Sequence, residues 1–546
     1  MVGKWRDGDA SFLSTARFTM FLEAILAVMA QHWFSALVIV AIVHFTRNYF
    51  HHGLNQYPGP FLARFTNWWR FWDVYKRRPE VTHIRLHEKH GDVVRLGPNY
   101  LSFADPRAVK DIYGLNKGYI KSQFYPVQQS VSAGHRLPSL FSTTDETFHA
   151  NLRRSVNSAF SMSTLVQYEP LVDSTTALFL SQTDKLYAAP GATCDFARWL
   201  QFYAFDVIGN MTYSERHGFI ERNEDIEGII SYLGKLFSYV APIGQIPFLD
   251  MLLLKNPIYL LAAQYGFIDA TFPVARFARA RLEERMASSS SSSSSPKPSS
   301  SGPPDLLSKF IAAQQTHPAT ITQKEVLTLA VSMAFAGSET TAISLSSIFY
   351  HLLRHPATLT RLLAELNDAE QRGVFADATP GVVSWAEAQQ LPYLDAVVKE
   401  AFRIHPAAGL PLERVVPAGG ATIAGHFVLG GTIVGCSAWV LHRNPSIFGA
   451  DSAHFRPERW LESGGEGGAE RIKEMNAAMF HFGSGSRTCI GKNISLLEIY
   501  KVVPSLLRGF EVSFEEGGGE WKLWNSWFVR QLGFDVRFRR REGSVV

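Results

Sequence analysis

The stretch "FHFGSGSRTCIGKN", residues 480–493, places a cysteine, Cys489, in a glycine-rich loop two residues after an arginine. The 546-residue chain has only three cysteines, and Cys194 and Cys436 lie far from this one, with no Cys-x-x-Cys pair. So sparse and odd a number predicts neither a disulfide framework nor a structural zinc site, and it favours a reducing compartment. Cys489 therefore calls for a separate explanation.

The residues around Cys489 have the properties that a metal-ligating thiolate needs. Residues 490–510 have the apolar spacing of a helix, whose first backbone amides and positive dipole end would stabilise a thiolate just before it. Phe482 could shield the sulfur from water, and Arg487 offers a forked cation that suits a carboxylate. A thiolate, a shield and a carboxylate-binding cation together indicate haem with a proximal cysteine.

The two glycines of the loop fit the same interpretation, since Gly485 and Gly491 permit tight turns and the close approach of a flat cofactor. Two alternatives remain open from these residues. Cys489 could be a small apolar core residue. It could also be a catalytic nucleophile, which would need a positioned histidine such as His481.

Composition and charge limit the class of protein. Hydrophobic residues make up 46% of the chain and charged residues 19%, which is enough for a large core and argues against general disorder. The net charge of +4 and a pI near 8.8 are too diffuse to indicate nucleic-acid binding. A local basic face that meets an acidic partner remains compatible with these values.

The N-terminal region predicts a membrane anchor. Residues 18–46 are long enough to cross a bilayer, although Glu23, Gln31 and His32 interrupt them. No small-residue cleavage site stands out, so we expect a retained single-pass anchor in residues 1–50 with its span at about 20–45. Basic residues lie on both sides of the span, so charge alone does not orient it.

The remainder, 51–546, is predicted to form one domain. It begins with a proline-glycine hinge at 55–65, followed by a hairpin at 91–105 and mainly helical patterns to about 285. Residues 288–304 are rich in serine and proline and predict a flexible surface insertion. Similar helical patterns continue on both sides of it.

The second half adds three helices and a small β region. The long apolar segment 321–355 predicts a buried central helix; a second membrane span is the alternative, which Glu339 makes costly. Helices are also predicted at 390–406 and 490–510. Short strands are expected at 422–435 and a final hairpin at 521–541. The predicted fold class is therefore mainly α with a small β region.

The cysteine loop has the form Phe-x-x-Gly-x-Arg-x-Cys-x-Gly and resembles the haem-binding loop of cytochrome P450 monooxygenases. Five specified positions in ten make this a specific motif. Its members here are Phe482, Gly485, Arg487, Cys489 and Gly491.

Three further segments occur in the order that this family has. They are "AGSETT" (336–341), "EAFR" (400–403) and "FRPERW" (455–460). The resemblance covers about 51–546, and phrases such as "YPGP" and "GDVVRLGPN" are similar to fungal enzymes of specialised metabolism, including the pisatin demethylase and benzoate hydroxylase types. It implies the cytochrome P450 fold with haem b and Cys489 as the axial ligand of its iron.

The resemblance also assigns roles to the first segment. Thr340 would hold a water beside the iron, and Glu339 would relay protons from solvent. The alternative for Thr340 is a hydrogen bond back to the carbonyl four residues earlier.

The other two segments imply a structural role. Glu400 and Arg403 project from one helical face, and Arg459 would complete a structural triad with them. The alternative is a surface ion pair, which contributes little.

Haem carries two propionates, and burying them requires cations. Arg487 is one candidate. By resemblance Arg153 and Arg414 are others, with His149 standing where the family often has tryptophan. Each arginine could instead be an ordinary solvated one.

The resemblance implies a monooxygenase that inserts one oxygen atom from O2 into a lipophilic small molecule, such as a fungal terpenoid, polyketide or alkaloid. No flavin domain follows residue 546, so we expect electrons from a separate NADPH–cytochrome P450 reductase at the endoplasmic reticulum, with the catalytic domain facing the cytosol. The same fold could instead catalyse oxidative coupling, desaturation or rearrangement. A non-catalytic haem sensor and a cysteine hydrolase are the alternatives from other classes.

Overall fold

The computed structural model describes residues 9–291, 305–376, 378–462, 467–517 and 519–543. The predicted mainly α fold with a small β region is confirmed. Residues 292–304, most of the predicted serine- and proline-rich insertion, lie outside the described residues.

Helices form most of the chain. In chain order they are α1 (Asp9–Phe50), α2 (Trp68–Tyr75), α3 (Pro79–His90), α4 (Arg107–Tyr113), α5 (Glu146–Val156), α6 (Met162–Leu165), α7 (Glu169–Thr183), α8 (Phe196–Tyr213), α9 (Phe219–Arg222), α10 (Ile229–Ile243), α11 (Phe248–Leu252), α12 (Pro257–Gln264), α13 (Pro273–Ser291), α14 (Leu306–Thr316), α15 (Gln323–Arg354), α16 (Pro356–Gln371), α17 (Trp385–Ala388), α18 (Pro392–Ile404), α19 (Ala438–Leu441), α20 (Pro445–Phe448), α21 (Gly468–Ala478) and α22 (Lys492–Gly509).

The strands are short. They are β1 (Val93–Gly97), β2 (Tyr100–Phe103), β3 (Ile120–Lys121), β4 (Ser130–Ser132), β5 (His135–Leu137), β6 (Cys194–Asp195), β7 (Arg414–Val415), β8 (Ala421–Ile423), β9 (His426–Val428), β10 (Ile433–Cys436), β11 (Phe510–Phe514), β12 (Lys522–Ser526), β13 (Phe528–Leu532) and β14 (Asp535–Arg540).

Two described helices are long and apolar enough to cross a membrane. The first span, Gln31–Gln56, begins in α1 and its apolar window is entirely exposed, whereas the window in α15 is 72% buried. Because its neighbours cover it, α15 is a core helix, as the sequence predicts. Helix α1 begins at Asp9 and is longer than the predicted span of about 20–45.

Helix α15 is the central element, and its 32 residues extend for about 48 Å. It begins at a capping box, in which the Thr322 backbone N–H donates to Glu325 Oε2 at 2.9 Å. Helix α8 packs along it. A Cβ at Gly337 would lie 3.0 Å from Ile208 Cγ1, so this glycine lets the two helices come close.

The sheets surround this helical core. The main sheet has the order β1-β2-β10-β7-β3, with the predicted hairpin β1–β2 at its edge and β10 parallel to β2. The final hairpin is β12–β13, and β14 pairs with β11 instead. Hairpin β12–β13 packs against α15, and strand β7 carries Arg414 to the cavity beside the cysteine loop.

Candidate active site

The cysteine loop is held by its backbone. The Cys489 N–H donates to the Phe482 carbonyl at 2.9 Å. Gly485 has φ +67°, and a Cβ there would lie 1.7 Å from the Tyr113 carbonyl oxygen, so only glycine fits. Gly491 also lies in a turn, but its φ of −82° is open to any residue, and the nearest atom to a Cβ there would be Cys489 Sγ at 4.0 Å.

Cys489 is exposed, whereas Cys194 and Cys436 are buried. Burial by the surrounding protein nevertheless raises the pKa of the Cys489 thiol, while the N–H groups of Gly491 and Lys492 and the charge of Arg153 oppose that rise. A side chain that is both exposed and desolvated faces an interior space. The plain-core interpretation of Cys489 does not fit this exposure.

Helix α15 presents two residues to the same region. Ala336 is exposed although most of the helix is buried, and Thr340, one turn later on the same face, is half-buried. The next residue, Thr341, bonds to Ser495 of α22 at 2.8 Å (Oγ1 to Oγ), which fixes this part of α15 against the helix that follows Cys489. The exposed face of α15 is therefore held close to the helix that follows Cys489.

The Thr340 hydroxyl donates to the Ala336 carbonyl at 2.8 Å. This is the back-bond considered above as the alternative for Thr340. It uses the hydroxyl hydrogen and leaves the oxygen lone pairs free to accept. The back-bond and a role in holding water are therefore compatible.

Glu339 lies on the neighbouring face of α15 and is buried. Its Oε1 accepts from Arg530 Nε of β13, and its Oε2 accepts from Gln201 Nε2 of α8. Both oxygens are therefore engaged by other elements. The structure does not bring the carboxylate to the Thr340 hydroxyl.

The predicted cations converge beside the loop. Arg153 Nη1 donates to the Thr488 carbonyl at 2.7 Å, and Arg414 Nη1 to its neighbouring Glu413 carbonyl at 2.8 Å. Arg487 pairs with Glu146 of α5, at 2.6 Å between Nη2 and Oε1. These three arginines line one cavity of about 620 Å³.

His149 lies in the same cavity wall and is buried. Burial, together with the charges of Arg487 and Arg153, lowers the pKa of His149 to about 3. Its imidazole is therefore neutral at pH 7. It can donate or accept a hydrogen bond there but adds no charge.

Lys121 of β3 is a further cation that sequence reasoning missed. It is buried, donates to the Phe141 carbonyl and lies 4.1 Å from the ring centroid of Tyr125. Burial, then the charges of Arg414 and Arg487, hold the pKa of Lys121 well below its usual value. Its sequence neighbours, Tyr-Ile-Lys-Ser, do not mark this lysine as an interior cation, because only the fold brings it close to the arginines.

The residues present fit haem. Four cations lie near one another here: Lys121, Arg153, Arg414 and Arg487. Among the described residues only one nearby carboxylate, Glu146, is available to balance them, because Glu413 is already paired with Arg70. Such an excess of partly buried positive charge favours an anionic ligand. A flat group with two carboxylates and a thiolate-binding metal satisfies both the cations and Cys489.

The predicted triad is brought together in the core. Glu400 accepts from Arg403 at 2.8 and 2.9 Å and from Arg459 Nε at 3.0 Å, and all three side chains are fully buried. Arg403 also donates to the His442, Ser452 and His454 carbonyls. The alternative of a surface ion pair is wrong.

Comparison with known proteins decides the family. The family model described as Cytochrome P450 matches residues 58–533. The chain belongs to the cytochrome P450 family. Three similar proteins are fungal P450s that match it over most of their length.

Cytochrome P450 monooxygenase cicH of Emericella nidulans is 40% identical over 518 residues, 95% of this chain and 99% of that protein. A cytochrome P450 monooxygenase of Aspergillus terreus is 42% identical over 476 residues, covering 87% and 93%. Cytochrome P450 monooxygenase pkfB of Emericella nidulans is 35% identical over 524 residues, covering 96% and 97%.

Membership makes the protein an oxidoreductase of the monooxygenase type. P450s use haem with a thiolate ligand and O2, a redox partner and a small-molecule substrate. The hydrolase interpretation is therefore wrong.

Proposed function

We propose that Cys489 of this P450 is the axial ligand of haem iron and that the enzyme inserts one oxygen atom of O2 into a lipophilic small molecule. One observation carries the proposal. Cys489 is an exposed cysteine just before α22, and the Thr341–Ser495 bond holds that helix to the part of α15 that carries the exposed Ala336 and half-buried Thr340. Haem, when bound, supplies the iron at which O2 is reduced.

The chain's own residues hold the cofactor in this proposal. Arg153, Arg414, Arg487 and Lys121 neutralise its two carboxylates, and neutral His149 adds a hydrogen bond. Phe482 packs against Phe402, with ring centroids 5.4 Å apart, and we assign it to shielding the sulfur from water.

The Glu400–Arg403–Arg459 triad fixes the end of α18 to the segment before the cysteine loop. We assign it to fold integrity and haem retention.

Proton delivery is assigned to Thr340 and Glu339. The Thr340 oxygen accepts a hydrogen bond from a cavity water, since its own hydrogen is given to Ala336. Glu339 holds hydrogen bonds from Arg530 and Gln201, so a relay from it requires exchange of one of these for water.

The substrate side of the cavity supports an oily ligand. Phe335 is half-buried beside Ala336, and its ring centroid lies 4.9 Å from that of Phe237 in α10. Leu410 and Leu412 lie in the segment before β7. Leu410 is buried and Leu412 is half-buried. Together with the resemblance to fungal enzymes of specialised metabolism, these residues favour a terpenoid, polyketide or alkaloid substrate.

The proposal places residues 1–50 as a single-pass anchor in the endoplasmic reticulum membrane and 51–546 as the haem domain in the cytosol. There it meets an NADPH-dependent reductase. The exposed apolar surface of α1 supports this. A second exposed apolar surface supports membrane contact; it is formed by Phe248, Met251, Leu252, Leu253, Leu254, Ile258, Leu261, Tyr265 and Phe267.

Oxygen labelling tests the reaction. Microsomes that contain the protein and a reductase are supplied with NADPH, an extract of apolar fungal metabolites and O2 labelled with heavy oxygen. The proposal expects a product that carries one labelled atom and forms only with NADPH. An altered product without label would instead support coupling, desaturation or rearrangement, and haem reduction without any product would support a sensor.

A further inference from the structure

We propose that Arg530 of β13 binds an uncharged oxygen atom of the substrate, of the carbonyl type, through N–H groups that the protein leaves unbonded. The inference rests on the proposed function, because it places the substrate in the cavity beside α15. It adds a specificity-determining residue and a chemical class: an apolar body with one hydrogen-bond acceptor.

The hydrogen bonding of Arg530 is unusually incomplete for its position. Its Nε donates to Glu339, which is its one hydrogen bond within the described residues, and its Nη2 is buried with no acceptor there. Arg403 and Arg459, which are also interior, make five hydrogen bonds each. A charged donor without an acceptor is costly unless a ligand provides one.

The guanidinium lies where three elements meet. Its side chain is 21% exposed, and because Nη2 is buried, the unbonded N–H groups that a ligand can reach are those of Nη1. A Cβ at Gly234 of α10 would lie 2.8 Å from Arg530 Nη1, so this glycine gives the group its room. Glu339 of α15 supports it from the other side.

Each of the three elements also presents a phenylalanine on the same face. Phe335 precedes Glu339 by one helical turn, Phe237 follows Gly234 by one turn, and Phe528 precedes Arg530 by two strand residues. The rings are in contact, with 4.9 Å between the centroids of Phe237 and Phe335 and 4.9 Å between those of Phe237 and Phe528. The result is an apolar wall with one polar group at its edge.

This wall leads to the reaction site. Phe335 is followed directly by the exposed Ala336, on the part of α15 that Thr341 holds to the helix following Cys489. Because Glu339 cancels the charge of Arg530, the free N–H groups favour a neutral acceptor over a carboxylate. A ketone, ester or lactone oxygen on an aromatic or alicyclic body has the required chemistry.

Binding of an isosteric pair tests the inference without turnover. The probes are 2-acetylnaphthalene and 2-isopropenylnaphthalene, which differ by a carbonyl oxygen in place of a methylene group. Dissociation constants are measured by equilibrium dialysis with the full-length holoprotein. We expect the ketone to bind about tenfold more tightly to the wild type. In the double variant Arg530→Leu/Glu339→Leu, which removes both charges together, the preference should disappear.

Two controls complete the design. Arg537→Leu removes an exposed arginine from β14 and should keep the preference, and Arg530→Lys keeps the charge beside Glu339 and should reduce the preference without abolishing it. Equal binding of both probes to the wild type, no binding of either, or an unchanged preference in the double variant would overturn the inference. A thiolate-type carbon-monoxide spectrum in the same samples shows that the haem-thiolate assignment stands even if the inference fails, and the labelling experiment tests the reaction separately.

Discussion

At the scale of single residues, the proposed proton delivery requires a side chain near the cysteine loop that can still accept a hydrogen bond from water. Thr340 gives its hydrogen to Ala336 and keeps its lone pairs, whereas both oxygens of Glu339 are occupied. The threonine is therefore the better placed of the two for a water in the cavity. In the proposed mechanism the acid can relay a proton only after water replaces one of its two donors.

Thr340→Ala should uncouple the enzyme. Without the hydroxyl oxygen a proton-carrying water is less well held, so the product formed per NADPH should fall about tenfold while peroxide formation rises. The measurement is NADPH consumption, peroxide and product in one reaction. Ser332→Ala is the matched control, because Ser332 on the same helix makes the same back-bond, to Thr328 at 2.7 Å. Unchanged coupling in Thr340→Ala would remove its assigned role.

Glu498 of α22 gives a pH-dependent prediction. It is fully buried, its oxygens have no partner among the described residues, and burial raises its pKa well above the usual value. The folded chain thus binds this proton more tightly than the unfolded one, so stability falls as the pH rises above about 4 towards the folded pKa. Glu498→Gln should remove this loss of stability at higher pH. The measurement is the melting temperature of both proteins at several values between about pH 4 and pH 8. The exposed Glu474→Gln is the control, and parallel curves for wild type and Glu498→Gln would contradict the prediction.

The sequence singles out a candidate residue where its close neighbours in the chain form a motif, and it does not where the partners are distant in the chain. The loop motif identified Cys489 and Arg487 from ten positions. The partners of Glu339 are 138 and 191 residues away, and nothing local marks Arg530 or Lys121 as interior cations. Only the packing of hairpin β12–β13 and strand β3 brings them in.

At the scale of elements, the loop before α22 needs glycine at two positions of one motif for two different physical reasons. Gly485 needs a positive φ and contacts α4 through Tyr113, whereas Gly491 has an ordinary φ and keeps space beside the sulfur. The motif predicted both residues but not this difference. The boundaries of regular elements were easier, since α15 begins at Gln323 and ends at Arg354 within the predicted 321–355.

Substitution of each glycine by alanine should give different results, because the two positions need glycine for different reasons. Gly485→Ala forces a Cβ against the Tyr113 carbonyl and should cost about 2 kcal/mol or more, so little folded holoprotein should form. Gly491→Ala has room and should fold, with its effect confined to the haem spectrum. Haem content and melting temperature measure both. Equal folding of the two variants would show that the contact with Tyr113 is not decisive.

At the scale of the whole molecule, the described chain exposes two apolar surfaces, which the proposal above assigns to contact with a membrane. Helix α1 exposes its apolar window, and α11, α12 and the turns around them expose a second set of large apolar side chains. Exposed patches of this kind mark interaction surfaces. The sequence predicted the first from its length but not the second, because α11 and α12 are short and their apolar residues could have been core.

Deletion of residues 1–50 should therefore release the protein from membranes only in part. Adding Leu253→Glu, Leu254→Glu and Phe267→Glu to the truncated chain should lower its binding to phospholipid vesicles by about tenfold or more, since each burial of such a side chain is worth about 1.5–3 kcal/mol. Vesicle flotation measures the bound fraction. Leu115→Glu, at a leucine that is 68% exposed elsewhere, is the control. Complete release by the deletion alone would show that α11 and α12 do not contact the bilayer.

The most direct test of the central claim is the carbon-monoxide difference spectrum of the reduced protein, for the wild type and for Cys489→Ala. If Cys489 is the thiolate ligand, the wild type shows a strongly red-shifted Soret band and the variant loses it. A Soret band at the histidine-ligated position in well-folded wild type, or a red-shifted band retained in Cys489→Ala, would contradict the assignment.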